Sequence, residues 1–170
     1  KSITIPQKIR TANKIERHKK KKIFVPKKLR KAKVEAIEGY GNLERIHVPA
    51  GVVLRNLSTA KKMKKITVSK KHKLYSVINK LLYNKKKTVL ISAVCDKKSP
   101  KIAKTTKVID LEAFEDAEFS EFVLPSRLKR IDMRAFENAK NLRTIVWNNK
   151  IEEINTGAFT GCTALEEVSI

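Results

Sequence analysis

Cysteine is nearly absent: Cys95 and Cys162 stand alone in 170 residues, with no Cys-x-x-Cys pair and no Cys/His cluster. That argues against a disulfide framework or a zinc site and leaves two buried free thiols as the plain expectation. Glycine is also sparse, at five residues, and neither Gly-x-Gly-x-x-Gly, Gly-x-Ser-x-Gly nor a P-loop occurs, so a phosphate-cradling loop has little material. The three histidines, His18, His47 and His72, fall in acid-poor segments without a carboxylate close in sequence to orient a general base. No catalytic residue, metal ligand or cofactor is therefore expected. The longest apolar run, Thr88 to Val94, is far too short to cross a bilayer, and no basic start followed by an apolar stretch reads as a signal peptide. The chain begins at Lys1, almost directly in a strand-like run, and stops at Ile170 inside another, so it reads as a piece cut from a longer protein.

Acidic residues are missing from one part of the chain in particular. Residues 1–109 hold 32 Lys+Arg against 5 Asp+Glu, whereas residues 110–170 hold 7 against 12, within a net charge of +22. A field of that size attracts polyanions in a salt-dependent way and says nothing about fold. The run Arg17-His-Lys-Lys-Lys-Lys22 lies inside a repeat and leads straight into a strand. Nucleic-acid readers usually add arginines and exposed aromatics, whereas here lysine greatly outnumbers arginine, so nucleic acid is a disfavoured partner. Asn56-Leu-Ser58 is a glycosylation sequon, a pattern common by chance.

What is present is a repeat. A strand-like tetrad recurs as Ile3-Thr-Ile-Pro6, Ile23-Phe-Val-Pro26, Ile46-His-Val-Pro49, Ile66-Thr-Val-Ser69, Phe122-Val-Leu-Pro125, Ile145-Val-Trp-Asn148 and Val168-Ser-Ile170, with starts 20, 23, 20, 56, 23 and 23 residues apart. Three residues before most tetrads stands another apolar side chain: Leu43, Met63, Phe119, Leu142 or Leu165. Together they spell Leu-x-x-Ile-x-Val, in which alternate side chains enter the core and the others face out. Lys20 takes that position in one degenerate copy. The proline after many tetrads cannot donate to a ladder, so it ends the strand.

The return path repeats too. Ile109-Asp-Leu-Glu-Ala-Phe114, Ile131-Asp-Met-Arg-Ala-Phe136 and Ile154-Asn-Thr-Gly-Ala-Phe159 align column by column, with Ala32 to Ile37 as a weaker copy. Asp110, Asp132 and Asn155 are good helix N-caps, which predicts a helix of one or two turns in each copy. Phe114, Phe136 and Phe159 are expected to stack from coil to coil as a hydrophobic spine.

The segment Ile151-Glu-Glu-Ile-Asn-Thr-Gly-Ala-Phe-Thr-Gly-Cys-Thr-Ala-Leu-Glu-Glu-Val-Ser-Ile170 resembles the BspA-like leucine-rich-repeat family, whose unit reads roughly Ile-Gly-x-x-Ala-Phe-x-x-Cys-x-x-Leu-x-x-Ile-x-Ile-Pro. The match is close from Val108 onward and looser over residues 1–107. Cys162 falls on the family's Cys column, where Ala117 and Ala139 stand in other repeats, which implies a packed structural thiol and no metal. The expected architecture is a right-handed α/β solenoid over residues 1–170, with a parallel concave sheet and short helices on the other side. An inserted β-hairpin is expected at about 70–101, its strands at Leu81–Asn84 and Thr88–Ile91.

On such a solenoid the residue before each tetrad forms one outward ladder: Ser2, Lys22, Arg45, Lys65, Glu121, Thr144 and Glu167. The second tetrad residue forms another: Thr4, Phe24, His47, Thr67, Val123, Val146 and Ser169. Lys22, Phe24, Arg45, His47, Lys65 and Thr67 are the expected ligand contacts, since cations beside Phe and His suit anionic or aromatic groups. The resemblance implies a secreted or cell-surface protein used in adhesion to an extracellular protein or glycan. The alternative reading is polyanion binding by charge alone, to teichoic acid, acidic glycans or nucleic acid. A spacer that binds nothing is a third.

Overall fold

Period-two alternation needs a partner strand on each side, and the tetrads supply one another. The computed structural model describes the backbone of Ser2–Thr4, Thr11–Ala12, Lys22–Phe24 and Lys33–Val34, together with residues 44–48, 50, 63–93 and 98–166. The chain divides into two units, Lys1–Lys80 and Leu81–Ile170.

The first unit holds β1 (Ser2–Thr4), β2 (Thr11–Ala12), β3 (Lys22–Phe24), β4 (Lys33–Val34), β5 (Arg45–Val48), β6 (Lys65–Val68) and β7 (Tyr75–Ile78). Four of these form one parallel ladder in the order β1-β3-β5-β6. Its register aligns Ile3, Ile23, Ile46 and Ile66, the first residues of four tetrads. Ile46 and Ile66 are buried while Arg45 and Lys65 before them are exposed, as the pleat requires. A second, shorter parallel ladder pairs Thr11 with Lys33 and Ala12 with Val34, so the weak return copy at Ala32 to Ile37 also contains a strand.

The second unit holds β8 (Leu81–Asn84), β9 (Val89–Ala93), β10 (Val108–Ile109), β11 (Glu121–Val123), β12 (Arg130–Ile131), β13 (Thr144–Val146) and β14 (Glu153–Ile154). The tetrads pair here as well, β11 lying parallel to β13 with Phe122 opposite Ile145. On the return path Ile109, Ile131 and Ile154 sit in one column of the parallel strands β10, β12 and β14. The final tetrad, Val168-Ser-Ile170, lies outside the described residues. Strands β8 and β9 form the expected antiparallel hairpin, with an irregularity between Leu82 and Tyr83. It is no pendant insertion, because β9 pairs in parallel with β10 and supplies a further rung of the return-path ladder.

The short helices are not found: the described residues contain none, and the segments after Asp110, Asp132 and Asn155 are turns. The reason lies in the third residue of each turn. Glu112, Arg134 and Gly157 have φ of 54°, 56° and 69°, a left-handed conformation that an α-helix does not admit. The N–H groups of Glu112, Phe114 and Asp116 then reach the carbonyls of Met133, Ala135 and Glu137 in the next coil. Those of Ala113, Glu115 and Ala117 bond back to the carbonyls of Asp110, Glu112 and Phe114. Backbone donors alternate between the neighbouring coil and the local turn, so their hydrogen bonds are met without a helix.

The core is built from the repeated apolar columns. Phe114 stacks on Phe136 and Phe136 on Phe159, with ring centroids 5.1 Å apart in both pairs and interplanar angles of 17° and 15°. Phe122 adds edge contacts to Phe114 and Phe136 at 5.0 Å, and Phe119 meets Phe114 edge-on at 5.6 Å. Each such pair contributes roughly 0.5–1.5 kcal/mol beyond its buried area. Ala113, Ala135 and Ala158, all buried, precede the spine, where a larger side chain would hold the coils apart.

Candidate ligand-binding face

The first ladder brings together four strands whose outward positions can be named. Lys22, Arg45 and Lys65 lie opposite one another on consecutive strands, and so do Phe24, His47 and Thr67. Their backbones are adjacent as the tetrad alignment requires; the side chains of Lys22 and Phe24 lie outside the described residues. Arg45 and Lys65 are exposed, with neighbouring strands about 4.8 Å apart. Like charges directly opposite on a sheet repel, so this column is destabilising unless something anionic lies over it.

Beside that column, His47 and Thr67 are locked together. Thr67 Oγ1 donates to Ile46 O at 3.3 Å, which uses its single proton, so the 2.9 Å contact with His47 Nδ1 has the ring N–H donating. Lys64 pairs with Glu44 at 3.7 Å next to the cationic column.

The tetrad positions of the second unit have a different character. Glu121 stands opposite Thr144 and Val123 opposite Val146, with the two valines 54% and 44% exposed. At the corner after β11, Asn148 Nδ2 donates to Pro125 O at 2.6 Å, tying the ends of two tetrads.

Other chemically notable residues have structural work. His72 is buried, and its Nδ1 accepts from the N–H groups of Leu74 and Tyr75 at 3.1 Å each while its ring packs on Tyr75. Cys162 Sγ donates to Phe136 O at 3.1 Å, and burial pushes its thiol pKa up, against a smaller opposing effect from the Ala139 backbone. A thiol held protonated is a poor nucleophile and a poor metal ligand. Cys95 and His18 lie outside the described residues. Among the described residues no group of three or more His, Cys, Asp or Glu could hold a metal ion, and no helix is long and apolar enough to cross a membrane.

Sequence reasoning missed one feature, the concentration of Lys85, Lys86, Lys87, Lys104 and Lys107 where β9 and β10 begin. The signal was present in part, as a lysine-only hairpin turn, but that a second loop closes on it follows from the fold.

Residues 92–170 match the model of the BspA type leucine rich repeat region, in 6 copies. Over this stretch, a little under half of the chain, the sequence is similar to the BspA-type leucine-rich repeat. Ala117 and Ala139, which occupy the place of Cys162 in the two preceding repeats, are buried.

No curated protein matches the chain. Three solved structures do. A leucine rich cell surface protein from Faecalibacterium prausnitzii is similar over 97% of this chain and 52% of its own, at 21% identity and a TM-score of 0.74. A leucine-rich repeat protein from Eubacterium ventriosum is similar over 94% of this chain and 45% of its own, at 21% identity and a TM-score of 0.56. The pneumococcal vaccine antigen PcpA is similar over 97% and 60%, at 18% identity and a TM-score of 0.54. These likenesses show the fold alone, a solenoid of stacked coils. The chain spans about half the length of these three proteins.

Proposed function

We propose that the chain is a non-catalytic binding scaffold of an extracellular or cell-surface protein, adhering to host or matrix proteins through the outward face of its tetrad ladder, the expected concave side. The contacts are Lys22, Phe24, Arg45, His47, Lys65 and Thr67. The observation that supports this reading is their register: three cationic positions and a Phe-His-Thr row are laid side by side on three consecutive strands. A solenoid sheet is a rigid support, so the side chains on it need little ordering when a partner docks. Two of the similar solved structures also bear on the location, one described as a cell surface protein and one as a vaccine antigen. The single repeat domain expected over residues 1–170 belongs to the same proposal.

The test uses immobilised laminin and collagen and the whole chain. Shaped contacts persist at about 0.5 M salt, whereas contacts made by charge alone lose orders of magnitude in affinity. Arg45→Ala with His47→Ala is expected to weaken matrix binding tenfold or more; unchanged binding would remove the proposal. The second reading, polyanion binding by the basic part of the chain, is favoured by the 32 to 5 excess of basic over acidic residues in 1–109. Under that reading, Gln at positions 19–22 weakens heparin binding and flattens its salt dependence.

A further inference from the structure

The second unit carries a cationic site of its own, on the loops before β9 and β10. From Leu81 to Lys107 the sequence has eight lysines, no arginine, one acid (Asp96) and one aromatic (Tyr83). Five of those lysines, Lys85, Lys86, Lys87, Lys104 and Lys107, are exposed and flank the starts of β9 and β10. None of the five has an ion-pair partner among the described residues. One coil further on, Lys129 is paired with Glu152 at 2.5 Å, so charge compensation resumes where the platform ends.

The backbone under these lysines is fixed. Asn84 closes the hairpin turn: its Oδ1 accepts from the N–H groups of Thr88 (2.8 Å) and Val89 (3.2 Å), its Nδ2 donates to Thr88 Oγ1 (2.9 Å), and its carbonyl accepts from Lys87 N (3.0 Å). The second loop is tied onto the first, because Thr105 Oγ1 donates to Lys87 O at 2.9 Å and Lys107 N donates to Thr88 O at 2.8 Å. Beneath both, the fully buried Tyr83 accepts a hydrogen bond from Ala103 N at its phenol oxygen, 3.1 Å away. Five ammonium groups thus stand on two cross-braced loops. Their mutual repulsion is held in the folded state and is relieved when an anion arrives.

We propose that this platform docks an acidic polysaccharide, a linear polymer carrying sulfate or carboxylate groups. Lysine ammoniums are point charges that suit spread-out anionic groups, whereas planar bidentate recognition calls for arginine, of which the stretch has none. The sole aromatic of the stretch is wholly buried, so no surface ring offers a stacking platform for nucleotide bases. Among the described residues the nearest large exposed apolar residue in sequence is Leu111, which follows β10 and so stands past the strand's opposite end, so no large exposed apolar side chain described among the lysines is placed to insert into a bilayer. The inference rests on the scaffold reading above but assigns the polymer to the hairpin end instead of the tetrad ladder.

The experiment measures binding of the whole chain to heparin, duplex DNA, anionic phospholipid vesicles and neutral dextran across a salt series. For K85Q/K86Q/K87Q, heparin affinity at low salt is expected to fall at least tenfold and the logarithmic salt slope to drop by about 3, roughly one per lysine. R45Q/K65Q on the tetrad ladder is expected to change heparin affinity less than twofold. Tyr83→Phe keeps every charge but removes the brace from Ala103, so affinity is expected to fall about threefold with the salt slope unchanged. Should Tyr83→Phe unfold, the lysine variants decide alone. Undiminished heparin binding by the triple variant overturns the proposal, as does duplex DNA or vesicle binding equal to that of heparin. If R45Q/K65Q alone abolishes heparin binding, the inference fails while the scaffold reading stands; if matrix binding fails and the platform effects hold, the reverse is true.

Discussion

Asn155 donates its amide to Asp132 Oδ1 at 2.9 Å, and Arg130 holds the same carboxylate with Nε at 3.0 Å. One coil earlier, Asp110 faces Asp132 with a second negative charge. Burial pushes the Asp110 pKa up, the Leu111 N–H opposes this, and the Asp132 charge raises it further, with Arg130 opposing. The folded state therefore holds this proton to a higher pH than the unfolded chain does. Stability falls as pH rises from the unfolded value through the raised folded one, and is regained as pH falls back through that window. Asp110→Asn removes the penalty, keeps an oxygen for Leu111 N–H and offers Asp132 a second amide. It is expected to add about 0.5 kcal/mol at pH 7 and nothing at pH 3, a small figure because solvent screens a half-buried site. Urea titrations at the two pH values check this, and a loss of stability at pH 7 would contradict it.

Two neighbours in the last described turn respond to the same change by different amounts. Gly161 has φ of 76°, and a Cβ there would collide with Asn138 Oδ1 of the preceding coil, so Gly161→Ala is expected to cost about 2 kcal/mol. Cys162→Ala, where Ala117 and Ala139 already fill the equivalent positions, is expected to cost less than about 1 kcal/mol. Thermal melts of the two variants separate them.

At the scale of the element, the phenylalanine spine was legible because the same Ala-Phe pair recurs in three aligned copies of the return path. Phe136 sits between two stacked neighbours with no exposed surface, so Phe136→Ala is expected to cost about 3–5 kcal/mol and Phe159→Ala, at the half-buried last ring, clearly less. Denaturant midpoints give both values, and equal costs would mean that the rings do not form one continuous stack. The turns before the spine were misread because Asp and Asn serve as N-caps and as turn residues alike. The mark of the left-handed position was one residue, Gly157, whereas Glu112 and Arg134 adopt the same conformation without a glycine to announce it. The hairpin was read correctly from its β-rich runs around a lysine turn. Its use as a rung was not, since pairing between Val89 and Val108 depends on contacts far apart in sequence.

Over the whole molecule, the tetrad spacing foretold both strand ladders, and the backbone positions of the candidate face followed from it: Lys22, Arg45 and Lys65 align as their place in the repeat dictates. The lysine platform did not follow, because Thr105 meets Lys87 only once β9 has joined β10. A net charge of +22 also makes the folded state repel itself. Raising sodium chloride from 20 to 300 mM is expected to add about 1 kcal/mol and to raise the melting temperature by roughly 2–4 °C. Differential scanning calorimetry gives the answer, and a melting temperature that falls with salt would show that attractive ion pairs outweigh the repulsion.

The odd-even pattern of amide donors through 112–117, repeated one coil later from Ala135 to Ala139, has a consequence for how such a protein lengthens. Losing a single residue there would exchange every outward-reaching amide for an inward-reaching one and leave a full circuit out of step with both neighbours. Removing or duplicating a whole circuit, such as the 22 residues from Asp110 to Ile131, carries each donor onto its counterpart. Reach can therefore grow or shrink by entire circuits while every junction stays as it was.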